Sequence, residues 1–330
     1  MFFNIPSEKE RFELQHKIDV LNTLEEKVKF WMDDHLAKRK LWFSSDFLPA
    51  DEKNDENSEN VIQKLRERVK GIKDHARVSV AVNLLTEEGL PHFHRLISTY
   101  LGTESFWAKW NNMWTAEEDR HGAILRDYAR DSRLFNFAAV EKLQYAYQEK
   151  GFNPDWDKDP YRVFVYTTLQ ERATQYSHRN TGAVIGDDEP MIKNILGNIA
   201  KDEAKHFNFY RRVFKSVLEI DPNNALQSAL AIMPAIDMPG ISMPNFRDMA
   251  DVIRRAGIYG PWDYKKIVEE AIAHWEIETL TGLNEMGRAA QEKIMKIPAR
   301  LQKVAEYLER RTVSKTFSFD IIHNRILAME

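Results

Sequence analysis

Residues 114–122, WTAEEDRHG, and residues 201–206, KDEAKH, each place a glutamate three positions before a histidine: Glu118 with His121, and Glu203 with His206. Residues three apart share one face of an α-helix, so each string offers a carboxylate and an imidazole side by side. A lone glutamate precedes each pair at nearly the same interval. Glu87 stands 118 − 87 = 31 residues before the first pair, and Glu171 stands 203 − 171 = 32 before the second. One helix pair is in effect written twice, which predicts an all-α four-helix bundle with a di-metal centre among its helices. Glu13 and His16 show why the interval matters: they have the spacing but no glutamate at that interval before them, and read as a solvated helix face.

Around the second pair, Met191, Ile195, Ile199, Ala200, Phe207, Tyr210 and Phe214 follow a helical apolar stripe, which puts Glu203 and His206 on a buried face. An unpaired buried carboxylate costs several kcal/mol, and four converging inside a bundle require compensating positive charge. Two divalent cations supply it. An oxygen-rich site with two imidazoles and no thiolate favours iron or manganese over structural zinc or copper(I).

The chain of 330 residues has no cysteine, so it offers no disulfide, thiolate ligand or iron–sulfur cluster, and electrons must come from outside. Its net charge is −4 and its pI about 6.2, with no long basic run, so nucleic acid is not an expected partner. The opening MFFNIPSEKERFEL turns charged within eight residues and does not read as a secretory signal. The most apolar stretch, Ala225 to Met243, is interrupted by Pro234, Asp237, Pro239 and Gly240, short of the ~20 apolar residues a membrane span needs. These features predict a soluble, cytoplasmic protein.

Helical periodicity dominates, and the whole chain reads as one domain, with a bundle core over about 75–218 and a C-terminal helical layer over about 222–330. Helices are predicted over 17–38, 57–71, 75–101, 104–130, 135–150, 160–186, 188–218, 222–234, 244–256, 262–281 and 285–311. The charged segment Ala50 to Asn60 reads as a loop. Pro91 leaves the carbonyl of Glu87 without its helical partner, which predicts a kink at the ligand; simple relief of packing is the other reading.

With the ligands read, the local strings resemble the soluble acyl–acyl-carrier-protein desaturases of plant plastids and bacteria. The resemblance rests on LTEEGLP at 85–91, WTAEEDRHG at 114–122, LQERAT at 169–174, SHRNT at 177–181 and KDEAKH at 201–206, and continues weakly through DFLP at 46–49, ISMP at 241–244 and LTG at 280–282. It covers nearly the whole chain. It implies a ferritin-like di-iron fold, a homodimer, an acyl chain delivered on acyl carrier protein, reduction by ferredoxin, and O2-dependent insertion of a cis double bond. All six family ligands are present: Glu87, Glu118, His121, Glu171, Glu203 and His206. Thr174 matches a family threonine that handles bound oxygen or its proton, although a helical threonine also bonds back to a carbonyl. Asp119 replaces the family's usual asparagine and is expected to point away from the metals.

A metal-bound imidazole normally donates its other N–H to a carboxylate. Glu117 and Asp202 directly precede the ligand glutamates, and crossed pairing is expected, Asp202 with His121 and Glu117 with His206. Trp42 matches a family tryptophan outside the first of these pairs. It either relays electrons to one iron or packs the N-terminal segment on the bundle.

Leu96, Thr99 and Tyr100 continue from Glu87, and Val163 and Phe164 lie two turns before Glu171; these are candidates for an apolar acyl tunnel and equally for ordinary core. Tyr100 would lie about 20 Å past Glu87 on a continuous helix at ~1.5 Å per residue, which predicts preference for chains shorter than eighteen carbons. Lys64, Arg66, Arg68, Lys70 and Lys73 form the densest basic run, either a docking face for the acidic carrier or a solvated helix face. Three rivals stay open. A ribonucleotide reductase small subunit would need a radical-forming tyrosine near the site, an iron store would leave the C-terminal layer unexplained, and a binding protein could keep the metal for stability alone.

Overall fold

The computed structural model describes residues 7–49, 56–152, 154 and 159–330. Fourteen α-helices appear among them. They are α1 (Glu8–Thr23), α2 (Glu25–Lys38), α3 (Glu56–Arg68), α4 (Asp74–Glu87), α5 (Leu90–Ser98), α6 (Phe106–Ser132), α7 (Phe137–Lys150), α8 (Pro160–Ile185), α9 (Pro190–Ile220), α10 (Pro222–Ile232), α11 (Phe246–Arg255), α12 (Pro261–His274), α13 (Glu285–Met295) and α14 (Ile297–Arg310). An antiparallel hairpin of β1 (Lys315–Phe317) and β2 (Leu327–Met329) ends the chain, with Thr316 opposite Ala328.

Helices α4, α6, α9 and α8 close a ring in that order, and α8 packs most extensively on α9. This is the ferritin-like bundle. Its long helices begin where the sequence supplies caps. Ser105 Oγ accepts from Ala108 N at 3.0 Å at the start of α6. Asp159 Oδ1 accepts from Tyr161 N, and Glu189 Oε1 from Met191 N, each followed by a proline at the first helical position, where the missing N–H costs nothing. Gly186, at φ +64, ends α8 and turns the chain into α9.

Two apolar clusters fill the molecule. Along α6, residues Trp107 to Trp114 join one and Ile124 to Ala129 the other; along α9 the division falls between Ile199 and Phe209. The glutamates and histidines of both helices occupy the interval between the clusters. Helices α10 and α12 pack against α8 and α9, while α11 packs against α4, so the chain after α9 covers the bundle. No helix among the described residues is long and apolar enough to cross a membrane.

Several expected boundaries differ. The predicted helix over 17–38 begins at Glu8 and is divided at Leu24. Residues 56–60 of the expected loop belong to α3, and 50–55 lie outside the described residues. The helices over 262–281 and 285–311 are interrupted after His274 and before Ile297, the latter beside Pro298, which sits in the first turn of α14. The most consequential difference is at Pro91. The chain does not kink there but breaks: α4 ends at Glu87, Glu88 and Gly89 turn, and Pro91 enters the first turn of α5. A side chain at Gly89 would collide with the Tyr147 ring, so only glycine lets α7 close over this turn. The three-residue strands of the hairpin are too short to show alternation, although Phe317 and Phe319 are both buried.

Candidate di-metal centre

The end of α4 supplies Glu87, α6 supplies Glu118 and His121, α8 supplies Glu171, and α9 supplies Glu203 and His206; all six are buried. Their ligand atoms form two overlapping groups, each within 4.8 Å: Glu87, Glu118, His121 and Glu203, then Glu118, Glu171, Glu203 and His206. Glu118 and Glu203 belong to both, as bridging carboxylates would. His121 turns Nδ1 inward, 3.4 Å from Glu118 Oε2 and 3.5 Å from Glu203 Oε1. His206 does the same, with Nδ1 2.8 Å from Glu118 Oε1 and 3.6 Å from Glu171 Oε2.

Both inward nitrogens, with Glu118 Oε1 and Glu171 Oε2, are buried and have no hydrogen-bond partner. Electron-pair donors that face one another without hydrogen bonds suit a cation between them. The donor set, four carboxylates and two imidazoles, fits a pair of hard to borderline divalent ions.

Without cations, protons must balance the charge. Burial and the charge of Glu203 push Glu171 well above the carboxylate range. Burial also pulls both histidines down, but Glu118 and Asp202 around His121, and Glu117 and Glu118 around His206, outweigh it and raise both well above the usual imidazole value. Burial raises Glu87 too, yet the His121 imidazole beside it and the hydrogen bond with His178 hold it well below its ordinary value.

The outer partners are crossed. His206 Nε2 meets Glu117 Oε2 at 2.9 Å, whereas His121 Nε2 lies 3.7 Å from Asp202 Oδ2, a looser contact than a hydrogen bond. Asp202 accepts from Trp42 Nε1 at 2.7 Å, and the Trp42 ring stacks on His121 with centroids 5.8 Å apart. Thr174 Oγ1 lies within 3.1 Å of Gln170 O, Glu171 O and Glu203 Oε2, so its one proton is shared between helix carbonyls and a ligand.

Sequence reasoning missed three partners. His178 Nε2 bonds Glu87 Oε1 at 2.6 Å, Trp114 Nε1 donates to Glu171 Oε1 at 3.1 Å, and His35 Nε2 meets Glu117 Oε2 at 3.0 Å. His178 was findable, since it stands seven residues after Glu171, two turns along the same face. His35 lies far earlier in the chain, and no local spacing marks it. The decoy pair stays apart from the centre, with Glu13 beside Lys9 and His16 beside Asp221.

A mostly apolar cavity of about 610 Å³ opens between α4 and α8 on one side and α11, α12 and α14 on the other. Thr86 and Thr174 form its inner wall and also line a small pocket of about 20 Å³ that touches Glu87 and Glu118. None of the five expected tunnel residues lines either space. Leu96, Val163 and Phe164 are buried in the first apolar cluster, Tyr100 packs half-buried against it, and Thr99 is exposed. Because α4 ends at Glu87 and a two-residue turn precedes α5, the ~20 Å extrapolation along one continuous helix does not hold. The basic run is also partly committed. Arg68 Nε lies 2.5 Å from the fully buried Glu189, Arg66 Nε donates to Asp131 O, and Lys70 pairs with Glu67.

The model of the family described as "Fatty acid desaturase" matches residues 16–323. The chain is 32% identical over 317 residues to the chloroplastic stearoyl-(acyl-carrier-protein) 9-desaturase of Gossypium hirsutum, covering 91% of this chain and 79% of that one. It is 31% identical over 331 residues to the chloroplastic palmitoyl-(acyl-carrier-protein) 4-desaturase 3 of Ophrys sphegodes, covering 94% and 82%. The X-ray structure of DesA2 from Mycobacterium tuberculosis H37Rv shares the fold, with a TM-score of 0.60 at 20% identity over 81% of this chain and 99% of that one. A family match that spans both glutamate–histidine pairs, both lone glutamates and the four helices that carry them settles the kinship: the chain belongs to the fatty acid desaturase family.

Proposed function

We propose that this desaturase introduces a double bond into a saturated acyl chain carried on acyl carrier protein, at a centre that holds two iron ions, with manganese the alternative metal. The observation that carries the reading is an apolar cavity that shares Thr86 and Thr174 with the small pocket beside Glu87 and Glu118. Its volume falls in the range of ~300–1,000 Å³ that buries a small organic ligand, and its lining is mostly apolar, with charged residues only on α11, at Arg247, Asp251 and Arg254.

Glu87, Glu118, His121 and Glu203 would hold one ion, and Glu118, Glu171, Glu203 and His206 the other. The bound pair supplies oxidation by dioxygen, which no side chain can perform on an unactivated methylene. Everything else falls to the protein. His178 and Trp114 orient the two terminal carboxylates, and Glu117 and Asp202 set the outward nitrogens of the histidines. Thr174 presents its hydroxyl both to Glu203 and to the cavity, where it can hold a proton beside the reacting carbons. Trp42, hydrogen-bonded to Asp202 and stacked on His121, gives electrons a path inward from a small soluble donor of the ferredoxin class. The reading extends to a homodimer working in the cytoplasm.

The test is turnover of a panel of saturated acyl chains on carrier protein with ferredoxin, ferredoxin reductase and O2, read by mass spectrometry. A product two mass units lighter with one double bond supports the reading. Oxygen consumption with no desaturated product from any chain length contradicts it.

A further inference from the structure

Trp110 is fully buried, and its indole Nε1 meets no carboxylate; its neighbour is Tyr210, equally buried, with ring centroids 6.0 Å apart. An indole of this size fills the core, and a smaller ring there would leave a cavity. The surroundings suggest another use. Trp110 stands edge-on to the ligand His206 with ring centroids 6.5 Å apart, and lies flat on Phe209 at 3.4 Å. Phe209 in turn meets Trp31 of α2 edge-on at 6.2 Å, and Trp31 is half-exposed. A continuous aromatic line thus runs from one metal-ligating histidine to the surface. It is separate from Trp42, which stacks on the other histidine.

The two tryptophans differ chemically. The N–H of Trp42 faces the Asp202 carboxylate, a ready proton acceptor, whereas that of Trp110 faces none. An indole that loses an electron without an acceptor for its proton remains a cation radical, able to take an electron back or from its neighbour. We propose that Trp110 and Trp31, bridged by Phe209, carry unused oxidising equivalents away from the metal pair when no acyl chain fills the cavity. The proposal rests on the reading of an oxygen-reactive pair given above.

The balance closes on electrons alone within the protein. Reduction of O2 to two waters takes four electrons and four protons. Two electrons come from the reduced metal pair. With acyl substrate, the other two leave with the two hydrogens of the new double bond; without it, they arrive one at a time from a one-electron reductant in solution through Trp31 and Trp110. Water supplies the protons, and no bond in either indole forms or breaks.

Metal-loaded protein, reduced with dithionite under anaerobic conditions and mixed with O2 without acyl substrate, is to be frozen at successive times for electron paramagnetic resonance, with oxygen uptake measured in parallel. The expected result is a transient tryptophan radical whose hyperfine pattern changes when the wild-type chain carries ring-deuterated tryptophan. Trp110→Phe should lose that signal, and Trp31→Phe should prolong it. Oxygen uptake with no tryptophan radical in the wild type overturns the route even if Trp110→Phe fails to fold. A radical that survives in Trp110→Phe but vanishes in Trp42→Phe overturns it as well. Absence of oxygen uptake overturns both the route and the reading on which it rests.

Discussion

His178 does for Glu87 what Trp114 does for Glu171: each gives a terminal carboxylate a donor from a neighbouring helix, at 2.6 and 3.1 Å. A ligand held in place by its outer partner loses less entropy on binding metal, and removal of such partners typically costs ~10–100-fold in affinity. His178→Ala should therefore weaken metal binding by about that factor in a chelator competition, with His178→Gln recovering part of the loss. Wild-type affinity in His178→Ala would show that Glu87 needs no such help. At this scale the sequence was most legible where chemistry is local. Glu118 with His121 and Glu203 with His206 lie three apart on single helices, so periodicity alone brings each pair together. Their preceding residues, Glu117 and Asp202, inherit the outer positions for the same reason. Trp114 and His35 escaped because their partners belong to other helices, and only the closed ring brings Trp114 onto Glu171 and His35 onto Glu117.

The break between α4 and α5 decides where substrate can lie. The apolar pattern of residues 75–101 runs on through Glu88 and Gly89, so periodicity could not show a two-residue turn, and Pro91 reads the same at a kink as in the first turn of a new helix. An acyl path traced along one straight helix therefore led to Leu96, Thr99 and Tyr100, whereas the open space adjoining the ligands lies between α4, α8 and the later helices. Residues of α11 and α14, far from the ligands in sequence, could not be assigned to that wall before the fold was known. Ala250, on the α11 wall, offers a direct test. Ala250→Trp should fill much of the cavity and sharply reduce turnover of long acyl chains while leaving metal content unchanged. Tyr100→Ala, by contrast, should leave chain-length preference as it is. Full activity in Ala250→Trp, or a shift of preference in Tyr100→Ala, would move the acyl chain back toward α5.

Across the molecule, the buried centre makes folding, protons and metal interdependent. In the metal-free chain His121 and His206 bind protons well above the reference imidazole value of 6.5, and Glu171 well above 4.5. Groups whose pKa is raised by folding bind more protons in the folded state, so the stability they contribute is full below the unfolded values and is lost as pH rises through the folded ones. Glu87, Glu117 and Asp202 shift the other way, but their contribution changes only in the acid range. The metal-free protein should thus melt at progressively lower temperature from about pH 6 to about pH 8, and the gap to the metal-loaded protein should widen. A gap that stays constant or narrows would mean that protons do not stand in for the ions. The all-α class and the four-helix core were legible because the same helix pair is encoded twice, whereas the terminal hairpin, built on three-residue strands, left no periodic trace. That duplication underlies every other conclusion, and metal content tests it most directly. The purified chain should hold close to two iron or manganese ions, and Glu203→Ala should lose most of them, while Glu13→Ala, at the solitary copy of the motif, should lose none. Equal metal content in the two variants would contradict the assignment.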